Sequence, residues 1–383
     1  MQQRIYFDNG STSFPKAPGV GQAMRDFLEQ GAFNINRGGY DGAYSVADQV
    51  YETRAALCRL FHFQPQRGVV FAPSVTFALN YIIKGLLQAG DHVVVSSLEH
   101  NAVMRPLEQM ARQGVQVSIA QADRQGRLDP DRVEALLRPQ TKAVILTAAS
   151  NVCGTILPLA EVGEICRRHH IHFILDSAQA AGLLDLDMPA LGVDILAFTG
   201  HKSLLGPQGI GGLLCSPELA AKMEPLIAGG TGSQSDSEIM PAFLPDRFEA
   251  GTLNLPGIIG LGRALAYLEQ TGIANLHDKE MALCAHFLDR LAELPAARLV
   301  GLPGIQGRLA IVSLDFPAHD NAEIAYRLDA EYGVMTRCGM HCAPRAHRTL
   351  GTFPQGTVRF AFSASNQKEE IDTCIDALSV ILK

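Results

Sequence analysis

The sequence predicts an α/β protein: a large unit built on a mostly parallel sheet with helices on both faces, followed by a smaller α+β unit. Between about Gly68 and Leu214, short β-branched runs alternate with helical patterns, which is how strands covered by helices on both faces read. Beyond about residue 260 the alternation stops, and a long helical stretch is followed by scattered strands and helices. A chain of 383 residues also exceeds what one core usually serves.

The strands expected in the first part are Val69–Phe71, His92–Ser96, Ala143–Thr147, His172–Leu175 and Ile195–Phe198. Helices are expected near 76–88, 102–113, 129–138 and 159–170, with Asp129-Pro130 and Leu157-Pro158 as starts. The second part predicts a helical stretch over 258–294, strands at Ala310–Leu314 and Thr357–Phe362, a helix near 321–332 and a last helix from about 367.

Composition narrows the function. Apolar residues at 47% and charged residues at 19% suit a soluble globular enzyme. The net charge of −7, with no basic stripe, gives no footprint for nucleic acid or an anionic membrane. The amino terminus lacks the apolar core of an export signal, and no apolar run approaches a membrane span. Eight scattered cysteines then read as free thiols in a reducing cytoplasm.

Ligands in open parallel sheets bind beyond the carboxyl ends of the strands. The residues just past each expected strand are Ser74-Val75-Thr76, Glu99-His100, Ser150-Asn151, Asp176 with Gln179, and Thr199-Gly200-His201-Lys202. Polar and ionisable groups therefore gather at one edge. Singly, Asp176 reads equally well as a helix cap, His100 as a satisfied histidine and Lys202 as a solvated charge. The set suits one cofactor. A lysine can form a Schiff base with an aldehyde, and an aspartate can pair with a protonated pyridine nitrogen. A histidine can stack on a flat ring, Gln or Asn can bond its phenolic oxygen, and a helix start at Ser74-Val75-Thr76 can hold a phosphate.

Asp176-Ser177-Ala178-Gln179, followed 26 residues after the aspartate by Lys202 in Thr199-Gly200-His201-Lys202, resembles the class V aminotransferase-like, fold type I pyridoxal-phosphate enzymes. Glu99-His100-Asn101, Ser150–Thr155 and Arg247–Thr252 follow in that family's order. Arg337-Cys338-Gly339-Met340-His341-Cys342-Ala343-Pro344 resembles the active-cysteine segment of the Suf-type cysteine desulfurases and selenocysteine lyases. The resemblance runs from about residue 5 to 375. It implies a large cofactor-binding domain over 15–260. It also implies a small domain over 261–383, joined by residues 1–14, that carries the active cysteine and a carboxylate-binding arginine.

Residue by residue, the resemblance implies pyridoxal 5′-phosphate bound covalently by Lys202, which also moves the substrate α-proton. His100 stacks on the ring, Asp176 pairs with its nitrogen and Gln179 contacts its oxygen. Val75, Thr76, Thr199 and His201 hold the phosphate, and Thr252 reaches the phosphate of a second subunit in a homodimer. Arg359 grips the substrate carboxylate with Asn151, which also belongs to the cofactor-binding set, and Asn36 also lies at the substrate. Cys342 is the persulfide-forming nucleophile, its thiolate favoured by His341 or local positive charge, and a sulfur-acceptor protein is the implied partner. L-cysteine is the expected substrate; selenocysteine, another β-elimination or an aminotransfer remain alternatives.

Four features depart from the Suf-type pattern. Cys338 stands where Thr or Ser is expected, Asn36 where His is expected, Cys153 adds a thiol near the cofactor, and the step from Cys342 to Arg359 is slightly long. Rival readings fare worse. Gly260-Leu261-Gly262 lies in a helical stretch and Gly209–Gly212 follows the fifth strand, so neither opens a dinucleotide fold. Cys166-x-x-His169-His170-x-His172 and Cys338-x-x-His341-Cys342 have ligand-type residues but no paired set at finger-like spacing.

Overall fold

The computed structural model describes residues 4–35 and 38–383. Its strands are β1 (Ile5–Tyr6), β2 (Val69–Ala72), β3 (His92–Ser96), β4 (Gln116–Ala120), β5 (Thr141–Thr147), β6 (His172–Asp176) and β7 (Ile195–Thr199). These are followed by β8 (Gly211–Cys215), β9 (Arg298–Val300), β10 (Ile311–Asp315), β11 (Val334–Met335), β12 (Arg337–Gly339) and β13 (Thr357–Ala361). Seven strands form the large sheet in the order β2-β8-β7-β6-β5-β3-β4. All run parallel except β8, which is antiparallel to both neighbours. The five expected strands are present, each within two residues of the limits read from sequence.

Alternation of side chains along each strand divides the core in two. Val94, Val144, Leu146, Leu175 and Leu196 pack on one face, with helices Asp41–Leu60 and Leu255–Thr271 supplying Leu57 and Leu261. Val93, Val95, Ile145, Ile174 and Leu213 pack on the other, under helices Val75–Leu86 and Asn101–Ala111. Burial on both faces explains why these strands read as unbroken apolar runs.

A second sheet, β12-β13-β10-β9, is antiparallel, and β1 pairs with β11 beside it. Phe7, Phe287, Phe316 and Phe360 fill its separate core, with helix Lys368–Ile381 covering it. The amino-terminal strand thus joins the carboxyl-terminal layer. No helix among the described residues is long and apolar enough to cross a membrane.

The structure corrects several local expectations. The helical stretch over 258–294 is two helices, Leu255–Thr271 and Ile273–Leu291, separated at Gly272 with φ of 82°, a conformation glycine reaches without steric cost. The expected helix over 129–138 closes after Pro130–Glu134. Gly209–Gly212 leads into β8, unrecognised in sequence because Gly211–Cys215 contains no β-branched residue. β4 was also missed; as an edge strand it keeps Gln116 exposed and lacks a continuous apolar run.

One buried ion pair anchors the segment that carries Thr252. Arg54 and Glu249 meet in a two-bonded fork at 2.9 and 2.7 Å, and Glu249 also accepts the Phe71 amide at 2.7 Å. Both side chains are nearly dry. Glu249→Ala strands the Arg54 charge and should lower stability by about 3–5 kcal/mol. Denaturant unfolding at fixed protein concentration measures this, and a change under about 0.5 kcal/mol would show that the pair holds nothing.

Candidate active site

The carboxyl ends of β2, β3, β5, β6 and β7 lie along one edge of the large sheet, and the expected groups gather there. Ala72, Gly211 and Thr199 are side by side across β2, β8 and β7. A β-carbon on Gly211 would meet the Phe198 carbonyl at 2.6 Å and Ser74 at 3.0 Å, so only glycine lets β8 approach this closely. Ser74 precedes helix Val75–Leu86 and makes no side-chain cap, leaving the first amides free of a hydroxyl partner. Beside them, Thr199 Oγ1 and His201 Nδ1 are buried without a hydrogen-bond partner. Free amides at a helix start beside unused donors suit a phosphate. Val75 is buried here and Thr76 is exposed.

Asp176 closes β6 at 2% exposure, and its Oδ1 accepts the Ala178 amide at 3.0 Å. Burial raises its pKa, while that hydrogen bond and Lys202 oppose the rise. Lys202 follows β7. Burial lowers its pKa to about 8, opposed chiefly by Asp176 and reinforced by Arg359. An amine at that level loses its proton far more readily than a solvated lysine. His100 caps helix Asn101–Ala111, its Nδ1 accepting the Ala102 amide at 3.0 Å. Burial and the charge of Lys202 push its pKa to about 4, so the ring is neutral at ordinary pH. His201 is held near 4 by the same two causes.

The small layer contributes the other half. Arg359 on β13 is 2% exposed. It donates to the Asn151 carbonyl at 3.0 Å, to Asp8 at 3.0 Å and to Ser11 at 2.7 Å, while its Nε is buried without a partner. Asp8 also pairs with Arg337 at 2.9 Å. The Asn151 amide donates to the His341 carbonyl at 2.7 Å, which links Arg359 to the residue before Cys342. His341 and Cys342 both have positive φ, 46° and 55°, so the turn lifts the Cys342 side chain into an exposed position. The Cys342 carbonyl accepts from the Asn101 amide at 2.8 Å. Cys342 lies close enough to Lys202 for a thiolate to favour the ammonium.

Gln179 spends its amide on the Gly10 carbonyl at 3.0 Å. His341 provides no cation, because burial and the charge of Arg359 push its pKa to about 2. The charges beside the sulfur belong to Lys202 and Arg337. Cys153 is fully buried, bonded to Thr155 Oγ1 at 3.2 Å and packed between Gly126 and Gly301. Thr252 is exposed on a separate surface pocket with Arg54, Gly230 and Gly251. Asn36 lies outside the described residues. Asp8, Ser11 and Gly10 were missed. Ser11 and Gly10 carry no distinctive motif, and Asp8 lies two residues beyond β1, in an isolated bridge to Ala361 that no sequence pattern signals.

Comparison with known proteins agrees with this geometry. The family model described as Aminotransferase class-V matches residues 5–374. The chain is 31% identical to a probable cysteine desulfurase of Methanothermobacter thermautotrophicus, over 100% of this chain and 95% of that protein. It is 34% identical to a probable cysteine desulfurase of Xylella fastidiosa, over 99% and 91%. The solved apo structure of a cysteine desulfurase from Thermococcus onnurineus superposes with a TM-score of 0.92 at 29% identity, over 99% of this chain and 94% of that one. With a family model matched over residues 5–374 and relatives 31% and 34% identical over nearly its whole length, this chain belongs to the class-V aminotransferase family.

Proposed function

We propose that the protein is a pyridoxal-phosphate-dependent cysteine desulfurase that moves the sulfur of free L-cysteine onto Cys342 and releases L-alanine. The observation that carries this reading is an exposed thiol on a left-handed turn, close enough to the lowered-pKa amine of Lys202 to act on its charge, as the buried guanidinium of Arg359 also does. An aminotransferase has no use for a thiol there. Relatives named as cysteine desulfurases support the same reading.

The residues fit pyridoxal phosphate. Thr199 Oγ1, His201 Nδ1 and the amides that open helix Val75–Leu86, with Thr76, suit its phosphate. Asp176 suits a protonated pyridine nitrogen, the neutral ring of His100 suits its face, and Gln179 lies at the same wall. Lys202 is the amine for its aldehyde. When bound, the cofactor supplies an electron sink for the carbon beside the substrate carboxylate.

The chain does the rest. Arg359 orients the substrate carboxylate through its guanidinium, with Asn151 and Asp8 holding that guanidinium in place. Lys202 takes the α-proton at Nζ, a task suited to an amine with a pKa near 8. The Cys342 thiolate attacks the substrate sulfur. An S–S bond forms as the substrate C–S bond breaks, the electron pair goes to carbon, and that carbon gains a proton to complete alanine. No external oxidant is required. The exposed Cys342 then offers its persulfide to an acceptor protein. All eight cysteines are free thiols, which suits a reducing cytoplasm.

The active unit is proposed to be a homodimer, because Thr252 lies exposed and apart from the Lys202 cleft of its own chain. A fully active monomer in sedimentation velocity would contradict this. For the nucleophile, Cys342→Ala should keep the visible band of the bound cofactor while sulfur release from L-cysteine falls by about two orders of magnitude or more. Mass spectrometry of the wild type should find one extra sulfur on Cys342. Unchanged turnover in the variant, or a persulfide on Cys338 or Cys153, would overturn the assignment.

A further inference from the structure

Beneath the cleft, Glu99 is 0% exposed in the turn between β3 and helix Asn101–Ala111. Its Oε1 accepts from the Ser96 hydroxyl at 2.5 Å and from the Thr147 amide at 3.1 Å. Its Oε2 is buried with no hydrogen-bond partner. Thr147 is the register partner of Asp176, so the two carboxyl groups belong to one small, dry region. An ionised Glu99 would leave an anionic oxygen without a donor and set a second anion near Asp176. The charged and titratable groups nearby do not relieve it. Lys202 serves Asp176 and His100 is neutral, with Nδ1 already accepting a bond. A proton on Oε2 removes both penalties.

We propose that Glu99 is a positioning residue that stays protonated, tying the β3 turn to β5 and leaving Asp176 as the anion of the pair. The consequence for catalysis rests on the cofactor reading above, since a pyridine nitrogen paired with Asp176 needs that carboxylate ionised. The geometry agrees with the titration: burial first, then the charge of Asp176, raises Glu99 from 4.5 to about 8. In the unfolded chain the same group ionises near 4.5. Its contribution to stability is therefore full below about 4.5 and is lost as pH rises through about 8.

Infrared spectroscopy of the holoenzyme near neutral pH tests this directly, read as the C=O stretch of a protonated carboxyl. Glu280 is another buried carboxyl raised to about 8, so Glu280→Gln serves as the background. The protonated-glutamate band that remains should vanish on adding Glu99→Gln and should fade in the Glu280→Gln protein as pH passes about 8. Glu99→Gln, which mimics the neutral acid, should bind pyridoxal phosphate within about threefold of wild type and gain stability relative to wild type between pH 4.5 and about 8. Absence of the band in the Glu280→Gln protein overturns the proposal even if the Glu99 variant fails to fold. A folded Glu99→Gln that binds cofactor about tenfold more weakly overturns it too, because the anion would then be needed. Failure of the wild type to bind cofactor would instead strike the functional reading, and the band would still decide the state of Glu99.

Discussion

Asp176 ends a strand whose neighbours on both sides are apolar and closed to water, so its charge must be met by another group, and Lys202 faces it. The pair sits where burial opposes both charges, raising the pKa of the acid and lowering that of the amine. That tension makes the site chemically useful. A lysine fully paired in water would stay protonated, and an aspartate fully solvated would hold no preference for a ring nitrogen. The same dryness renders His100, His201 and His341 neutral. The charge of the cleft is then set by Lys202, Arg359 and Arg337 against Asp176 and Asp8.

Distant segments meet to hold this arrangement. Arg359 comes from the second sheet, Asp8 and Ser11 from the amino-terminal segment, and Asn151 from the turn after β5. Asn151 reaches on to the backbone before Cys342. The arginine that suits a substrate carboxylate and the loop that presents the thiol therefore share one hydrogen-bonded chain. Displacing Arg359 would be felt at Cys342 through that connection.

Much of this was legible in the residues because the physics is local. β3, β5, β6 and β7 are buried on both faces, so their apolar runs are unbroken and the polar residue that ends each run is conspicuous. Asp176, His100, Thr199 and Lys202 were found that way. The edge strand β4 and the glycine-rich β8 lack that signature, since one is partly solvated and the other depends on close approach rather than side-chain bulk. The break at Gly272 was overlooked because the helical pattern continues through it. The contribution of Asp8 and the neutrality of His341 depend on which residues fold against them, and no sequence spacing encodes that. Cys153 looked close to the cofactor along the chain, yet its turn directs the sulfur toward Thr155.

The central claim is that Lys202 is the amine that binds the cofactor aldehyde covalently. Reduction of the holoenzyme with borohydride, followed by digestion and peptide mapping, tests it most directly. The account predicts loss of the visible band and one pyridoxyl group per chain, fixed to Lys202. A label on any other lysine, or a cofactor that leaves unreduced after denaturation, would contradict it.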